Sequence, residues 1–200
     1  SAAVANDADG DPYWNGGTLE AQITGNADAS DELSLPDNLV GDINTDGTEL
    51  RHGTTVFGTL SASEGTVTGG TKLTITFNSI ATNAMVQITL RALSYRNTSD
   101  DPDTETRTVT CTVTDGTGSS DSDTRDITIT RVNDAPILLA DVSPELNAIN
   151  EDAPAPSGAV GTLVSGIVDL VDGNGNDNIN DPDTGAVAGI ALVGTNTTNG

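Results

Sequence analysis

Positive charge, aromatic rings and sulfur are all scarce in this chain. Seven Lys and Arg residues face 30 Asp and Glu in 200 residues, for a formal charge of −23. Affinity for nucleic acid rests on cationic contacts to phosphate, so that class of partner is excluded. An anionic membrane surface is disfavoured on the same ground. The bases also stop early: residues 1–135 carry 21 acids and 7 bases, and residues 136–200 carry 9 acids and none. A single cysteine, Cys111, excludes an internal disulfide. It does not exclude export, because a bound metal can staple a thin core instead. The lone histidine, His52, sits in a Gly/Thr/Arg loop and offers little to a nucleophile–base pair. No apolar run reaches the 18 residues that a membrane-spanning helix needs. The opening "SAAVANDADG" has neither the basic nor the apolar region of a signal peptide, so any such peptide is expected elsewhere or already removed.

Low aromatic content with high acidity is also the composition of a disordered chain. Regular alternation argues otherwise. "GTLEAQIT" sets Leu19, Ala21 and Ile23 on one face, "TKLTITF" sets Leu73, Ile75 and Phe77, and "TVTCTVTD" sets Val109, Cys111 and Val113. "RDITIT" adds Ile127 and Ile129, and "TVFGTL" is a weaker strand with an internal glycine. Thr fills most opposite faces, as in half-buried antiparallel strands. Turn signals such as "TDGTG" and "NGG" separate the runs. One stretch breaks the period: Met85, Ile88 and Ala92, with Val86, Leu90 and Leu93, follow helical spacing and predict a short helix over residues 82–93.

Composition and charge shift at Asn133–Pro136, which divides the chain into units of residues 1–135 and 136–200. The second reads as strands again, in "ILLADV", "ELNAI", "VGTLVSGIVDL" and "VAGIALVG", joined by Gly/Asn/Asp loops. It holds too few strands to close a sandwich by itself, so an incomplete domain is expected.

The acids recur at spacing two. "NDADGD" holds Asp7 and Asp9, and "NDPD" holds Asp181 and Asp183. In an extended segment residues i and i+2 point the same way, so each pair presents two carboxylates to one point. That arrangement suits Ca²⁺, which takes 6–8 oxygen ligands; a solvated turn capped by Asp is the competing reading. "DINTDG" places Asp42, Asn44 and Asp46 like the start of an EF-hand loop, but its twelfth position is Gly53. "DGNGNDNINDPD" places Asp172, Asn174, Asn176 and Asn178 similarly, with Asp177 where a sharp turn wants glycine. Neither has helical flanks, and a plain β-turn is equally open for each. Cys111 reads as a small core hydrophobe. Tyr13 and Trp14, beside Asp11 and Asn15, form a candidate sugar-stacking pair, against the competing use of closing one end of a sheet.

Residues 6–136 resemble one repeat of the cadherin-like modules found in tandem in large bacterial surface proteins and adhesins. The likeness runs through "GGTLEAQITGNADASDELSL", "TTVFGTL", "LTITFNSIATNAMVQITLRALSYRNTSDDPDTETRTVTCTVTDGTGSSDS" and "ITRVNDAP". Residues 144–200 look like the first half of another repeat. The resemblance implies an all-β chain of tandem cadherin-like, Ig-like Greek-key β-sandwiches, with one short helix in the first and a partial second. It also implies Ca²⁺ at the joint, held by Asn133, Asp134, Glu151, Asp152, Asp181 and Asp183, with Asp115 contributed by the preceding module. Asp7 and Asp9 take the same role for a joint upstream. The linker departs from that pattern, because Arg131 and Ala135 stand where an Asp and an Asn are usual. The units are out of phase with the repeat, which is expected of an excerpt or of a fold completed by a neighbour's strands.

These readings lead to a non-enzymatic structural spacer of a secreted or cell-surface bacterial adhesin or fibre, stiffened by calcium. Its partners would be neighbouring repeats or identical protomers, with no membrane insertion. A self-assembling filament subunit and a calcium-dependent glycan-binding module are the alternatives.

Overall fold

The computed structural model of the chain describes residues 4–5, 14–36, 41–139, 143–148, 150, 154–155, 157–158, 161–172, 174, 177–191 and 193–194. The chain divides into two compact units, Ser1–Arg131 and Val132–Gly200. It is mostly antiparallel β-sheet, and no helix is long and apolar enough to cross a membrane among the described residues.

In unit 1 the strands are β1 (Thr18–Gly25), β2 (Asp31–Ser34), β3 (Ile43–Asp46), β4 (Glu49–His52), β5 (Thr55–Leu60), β6 (Thr66–Thr68) and β7 (Leu73–Phe77). A helix, α1 (Asn83–Ala92), precedes β8 (Ser94–Asn97), β9 (Arg107–Thr114) and β10 (Ser120–Ile127). They form a seven-stranded sheet in the order β10-β9-β1-β7-β5-β4-β3 and a three-stranded sheet in the order β6-β2-β8.

Alternation becomes packing where two sheets share a face. Leu19, Ala21 and Ile23 of β1 and Leu73, Ile75 and Phe77 of β7 are buried, while the positions between them, Glu20, Gln22, Thr74 and Thr76, are half-buried or exposed. Ala21, Ile23, Leu73 and Val109 of the large sheet meet Leu33 and Val67 of the small one. The small sheet is too narrow to cover the rest. Val86 and Leu90 of α1 join Ile43, Leu50, Phe57 and Phe77 over the remaining face, together with Trp14. The helix begins where Thr82 Oγ1 accepts from the Met85 amide at 3.3 Å, a side-chain cap on an otherwise orphaned donor.

One expectation for unit 1 shifts. The last strand of unit 1 runs from Ser120 to Ile127 and leaves Ile129 outside, because its partner β9 starts at Arg107, directly opposite Ile127. Beyond that pair there is no ladder to join. Asp121, Asp123 and Arg125 stand opposite Val113, Cys111 and Val109, so this edge strand is charged on the face its neighbour leaves apolar. Charge of that kind blunts an edge against further strand pairing.

Unit 2 contains β11 (Ile137–Leu138), a short helix α2 (Ser165–Val168) and β12 (Ile179–Asn180), with β11 and β12 paired antiparallel. "VGTLVSGIVDL" therefore carries a helical turn instead of a strand. "VAGIALVG" forms no strand among its described residues, and Val187 and Val193 are 92% and 100% exposed. Apolar alternation makes a strand only where a neighbouring strand takes up its backbone groups. The organising residue is Asn178, which is buried. Its amide donates to Ile167 O at 2.9 Å and accepts from Leu170 N at 3.1 Å, while its carbonyl accepts from Leu139 N at 2.7 Å.

Candidate metal centre

Pairing of β11 with β12 places Ile137 opposite Asn180 and Leu138 opposite Ile179. The residues just before β11 and just after β12 are thereby brought together. Those are the Asn133-Asp134-Ala135-Pro136 and Asp181-Pro182-Asp183 segments, 49 positions apart at the contact. The Asp134 amide donates to Asp183 Oδ2 at 2.8 Å, and the Asp183 amide donates to Asp181 Oδ1 at 3.0 Å. Asn133 Nδ2 donates to Asp134 O at 2.7 Å, which fixes the side-chain amide beside the turn. Four of the six residues assigned to the joint thus lie at one end of one small sheet. The other two, Glu151 and Asp152, lie outside the described residues, as do Asp7 and Asp9.

The donor chemistry fits a hard cation. Three carboxylates and an amide oxygen supply only the ligand type that Ca²⁺ prefers. Asp181 and Asp183 each spend one acceptor site on a backbone N–H, and an ionised carboxylate has about four such sites. Among the described residues, however, no group of three or more His, Cys, Asp or Glu is gathered closely enough to hold a metal ion. A complete coordination shell would need ligands from beyond those residues.

The remaining candidates are placed differently. Asp115 closes the β9–β10 hairpin: its Oδ1 accepts from the Thr117 and Ser119 amides at 2.8 and 2.9 Å and from the Thr117 hydroxyl at 2.7 Å. Its carboxyl is held below the usual range, chiefly by the Thr117 hydroxyl and also by the backbone amides of the turn. Asp42, Asn44 and Asp46 do not wrap into a loop. Ile43–Asp46 is β3, hairpinned through Gly47 and Thr48 onto β4, and Asp46 pairs with Arg51 at 3.3 Å. Asp42 sits in the turn before β3 with φ 61°, while Asn44 and Asp46 lie on the extended strand, so the three do not form the continuous loop an EF-hand needs.

Asp172 caps a turn, its Oδ1 accepting from the Asn174 amide at 2.7 Å, next to a Val171–Asp177 bridge. Asn176 lies outside the described residues, and the buried side-chain amide of Asn178 bonds to Ile167 O and Leu170 N inside unit 2. Among the described residues, Asn44 and Asp46 therefore belong to a hairpin and Asp172 to a turn cap.

Trp14 is 2% exposed, so neither ring face is open to a sugar. Its edge packs on Phe77 with centroids 5.9 Å apart, and Nε1 donates to Asn83 Oδ1 at 2.8 Å. Tyr13 lies outside the described residues. Cys111 is half-buried, and burial pushes its thiol pKa up, away from reactivity. His52 is exposed on β4.

Two polar arrangements have no counterpart in the motif reading. Asp31, fully buried at the start of β2, accepts from Tyr95 Oη at 2.6 Å, Asn97 Nδ2 at 2.8 Å, Arg107 Nε at 2.8 Å and the Asp28 amide at 2.8 Å. This network ties β2 and β8 of the small sheet to β9 of the large one. Separately, Arg131 Nε lies 2.8 Å from Pro102 O and 3.0 Å from Asp101 Oδ1. The signal for that second site was present as a repeated tetrapeptide: Asp101-Pro102-Asp103-Thr104 in unit 1 and Asp181-Pro182-Asp183-Thr184 in unit 2.

No protein-family model, curated protein or solved structure matches the chain.

Proposed function

We propose that the chain is a structural, non-catalytic spacer: tandem cadherin-like Greek-key sandwiches from a secreted bacterial adhesin or extracellular fibre, stiffened by calcium. The observation that carries this reading is the 2.8 Å bond from the Asp134 amide to Asp183 Oδ2, which joins the two acidic motifs at one sheet end. In this reading Asn133, Asp134, Asp181 and Asp183 supply oxygens to the ion, and Glu151 and Asp152 complete its shell. Without the ion these carboxylates repel in a chain already at −23, and with it they become ligands. The two antiparallel sheets of unit 1 agree with a sandwich module of such an array. Burial of Trp14 leaves that ring unavailable for stacking on a sugar.

The test is calcium-dependent stability and shape. Calcium should raise the melting temperature over a chelator-treated sample and increase the radius of gyration in small-angle scattering. An identical melting curve and scattering profile in both conditions would refute the calcium joint.

A further inference from the structure

The segment between β10 and β11, residues 128–136, forms no strand and is almost wholly exposed. A stretch of that composition would ordinarily be a flexible tether. Yet it is tied at two points. On the unit 1 side Arg131 Nε reaches Pro102 O at 2.8 Å and Asp101 Oδ1 at 3.0 Å, and the Asp101 side chain is only 16% exposed. On the unit 2 side the Asp134 amide reaches Asp183 Oδ2 at 2.8 Å. The two anchors are the two copies of the same Asp-Pro-Asp-Thr motif, one in each unit.

We infer that these paired Asp-Pro-Asp clasps confine the free hinge of the linker to Val132 and Asn133. Proline at the centre of each motif fixes its own φ and so restricts the backbone between the two Asp residues. Each motif grips the linker by a different chemistry. The first uses a carboxylate and a carbonyl on a guanidinium, the second a carboxylate on a backbone amide. Arg131, which departs from the linker pattern of the resembled family, thereby gains a role as a built-in cation that needs no metal. Only two residues remain to absorb φ/ψ change, and hinges are made of a few such positions. The inference deepens the spacer reading and depends on it for its use, but the clasps themselves are independent of calcium.

The experiment is backbone ¹⁵N relaxation on the full chain in the presence of a chelator. Order parameters below about 0.6, the flexible range, are expected at Val132 and Asn133 alone within residues 128–136. Arg131→Ala should widen that mobile run to residues 128–133, and Asp183→Ala should widen it to 132–136. The amides of Ser120–Ile127 report that the fold survives in each variant. A mobile run covering all of 128–136 in the parent chain would overturn the inference, as would an unchanged run in both variants. Because no calcium is present, failure here is distinct from failure of the calcium joint.

Discussion

Arg107 Nε donates to Asp31 Oδ2 at 2.8 Å, and neither side chain reaches solvent. The two residues belong to different sheets and are 76 positions apart. Arg107 Nη1 also donates to Glu105 O at 2.6 Å, whereas Nη2 is buried without a partner. Breaking a buried pair from one side strands the other charge, at a cost of about 3–5 kcal/mol. Arg107→Ala and Asp31→Ala should each destabilise unit 1 by that order, read as a lower urea midpoint by Trp14 fluorescence. The double variant Asp31→Leu/Arg107→Met should lose clearly less than the sum of the two single losses. Additive losses would mean that the pair is not coupled.

The same network sets limits at both ends of the pH scale. Burial by itself pushes the Asp31 carboxyl up, but hydrogen bonds from Tyr95, the Asp28 amide, Asn97 and Arg107 outweigh it and hold the pKa below the ordinary value. A carboxyl depressed on folding contributes stability that is present above its unfolded pKa, about 3.9, and is lost as pH falls through the folded one. Tyr95 behaves oppositely. Burial first, then the bond and charge of Asp31, push its phenol up to about 12. Its contribution is complete below about pH 10 and disappears as pH rises through the folded value. Urea midpoints against pH should therefore fall on both flanks. Asp31→Asn should flatten the acid flank and Tyr95→Phe the alkaline one; unaltered flanks would contradict this assignment.

Trp14 is a packing residue, and the measurement is simple because it is the only tryptophan. Its 2% exposure and its edge contact with Phe77 give an emission that should be blue-shifted and poorly quenched by acrylamide in the folded chain. Trp14→Ala should cost about 3–5 kcal/mol, the range for deleting a large buried aromatic. A solvent-like emission maximum in the native state would place the ring outside the core.

Legibility in the sequence followed from whether a feature is written in local order. β1, β7 and the core half of β9 announce themselves by period two, and α1 by period 3.6, because burial on one face leaves that trace. β10 leaves none before Ile127. An edge strand of Ser and Asp buries no face, so "RDITIT" marks only the last residues of β10, Arg125–Ile127. In unit 2 the difference is reversed: apolar alternation around Val164 and Val187 suggests strands, whereas the described residues there form a helical turn and no strand. The Asp31–Arg107 bond links residues whose neighbourhood only the folded topology creates. Of the metal candidates, Asp134 and Asp183 meet through a backbone-to-carboxylate bond across 49 positions, whereas Asn44 and Asp46 lie on one strand, β3. Spacing two is shared by a metal loop and by one face of a strand, and pairing decides between them.

That distinction gives the last prediction, which separates the candidate acids from one another. A ligand that binds only the folded state stabilises it by RT ln(1 + [L]/Kd), about 2.7 kcal/mol at one hundred times Kd. If calcium sits at the end of the β11–β12 pair, removing one carboxylate there weakens binding without touching the other acidic stretches. Asp181→Ala and Asp183→Ala should each shift the calcium dependence of the melting temperature to at least tenfold higher concentration. Asp46→Ala should leave it in place, because Asp46 lies on a strand and is paired with Arg51. Asp172→Ala should also leave it, since Asp172 serves its own turn through the Asn174 amide. Differential scanning calorimetry across a calcium titration reads all four. An equal shift in Asp46→Ala and Asp183→Ala would mean that calcium acts through the overall charge of the chain and not through a site.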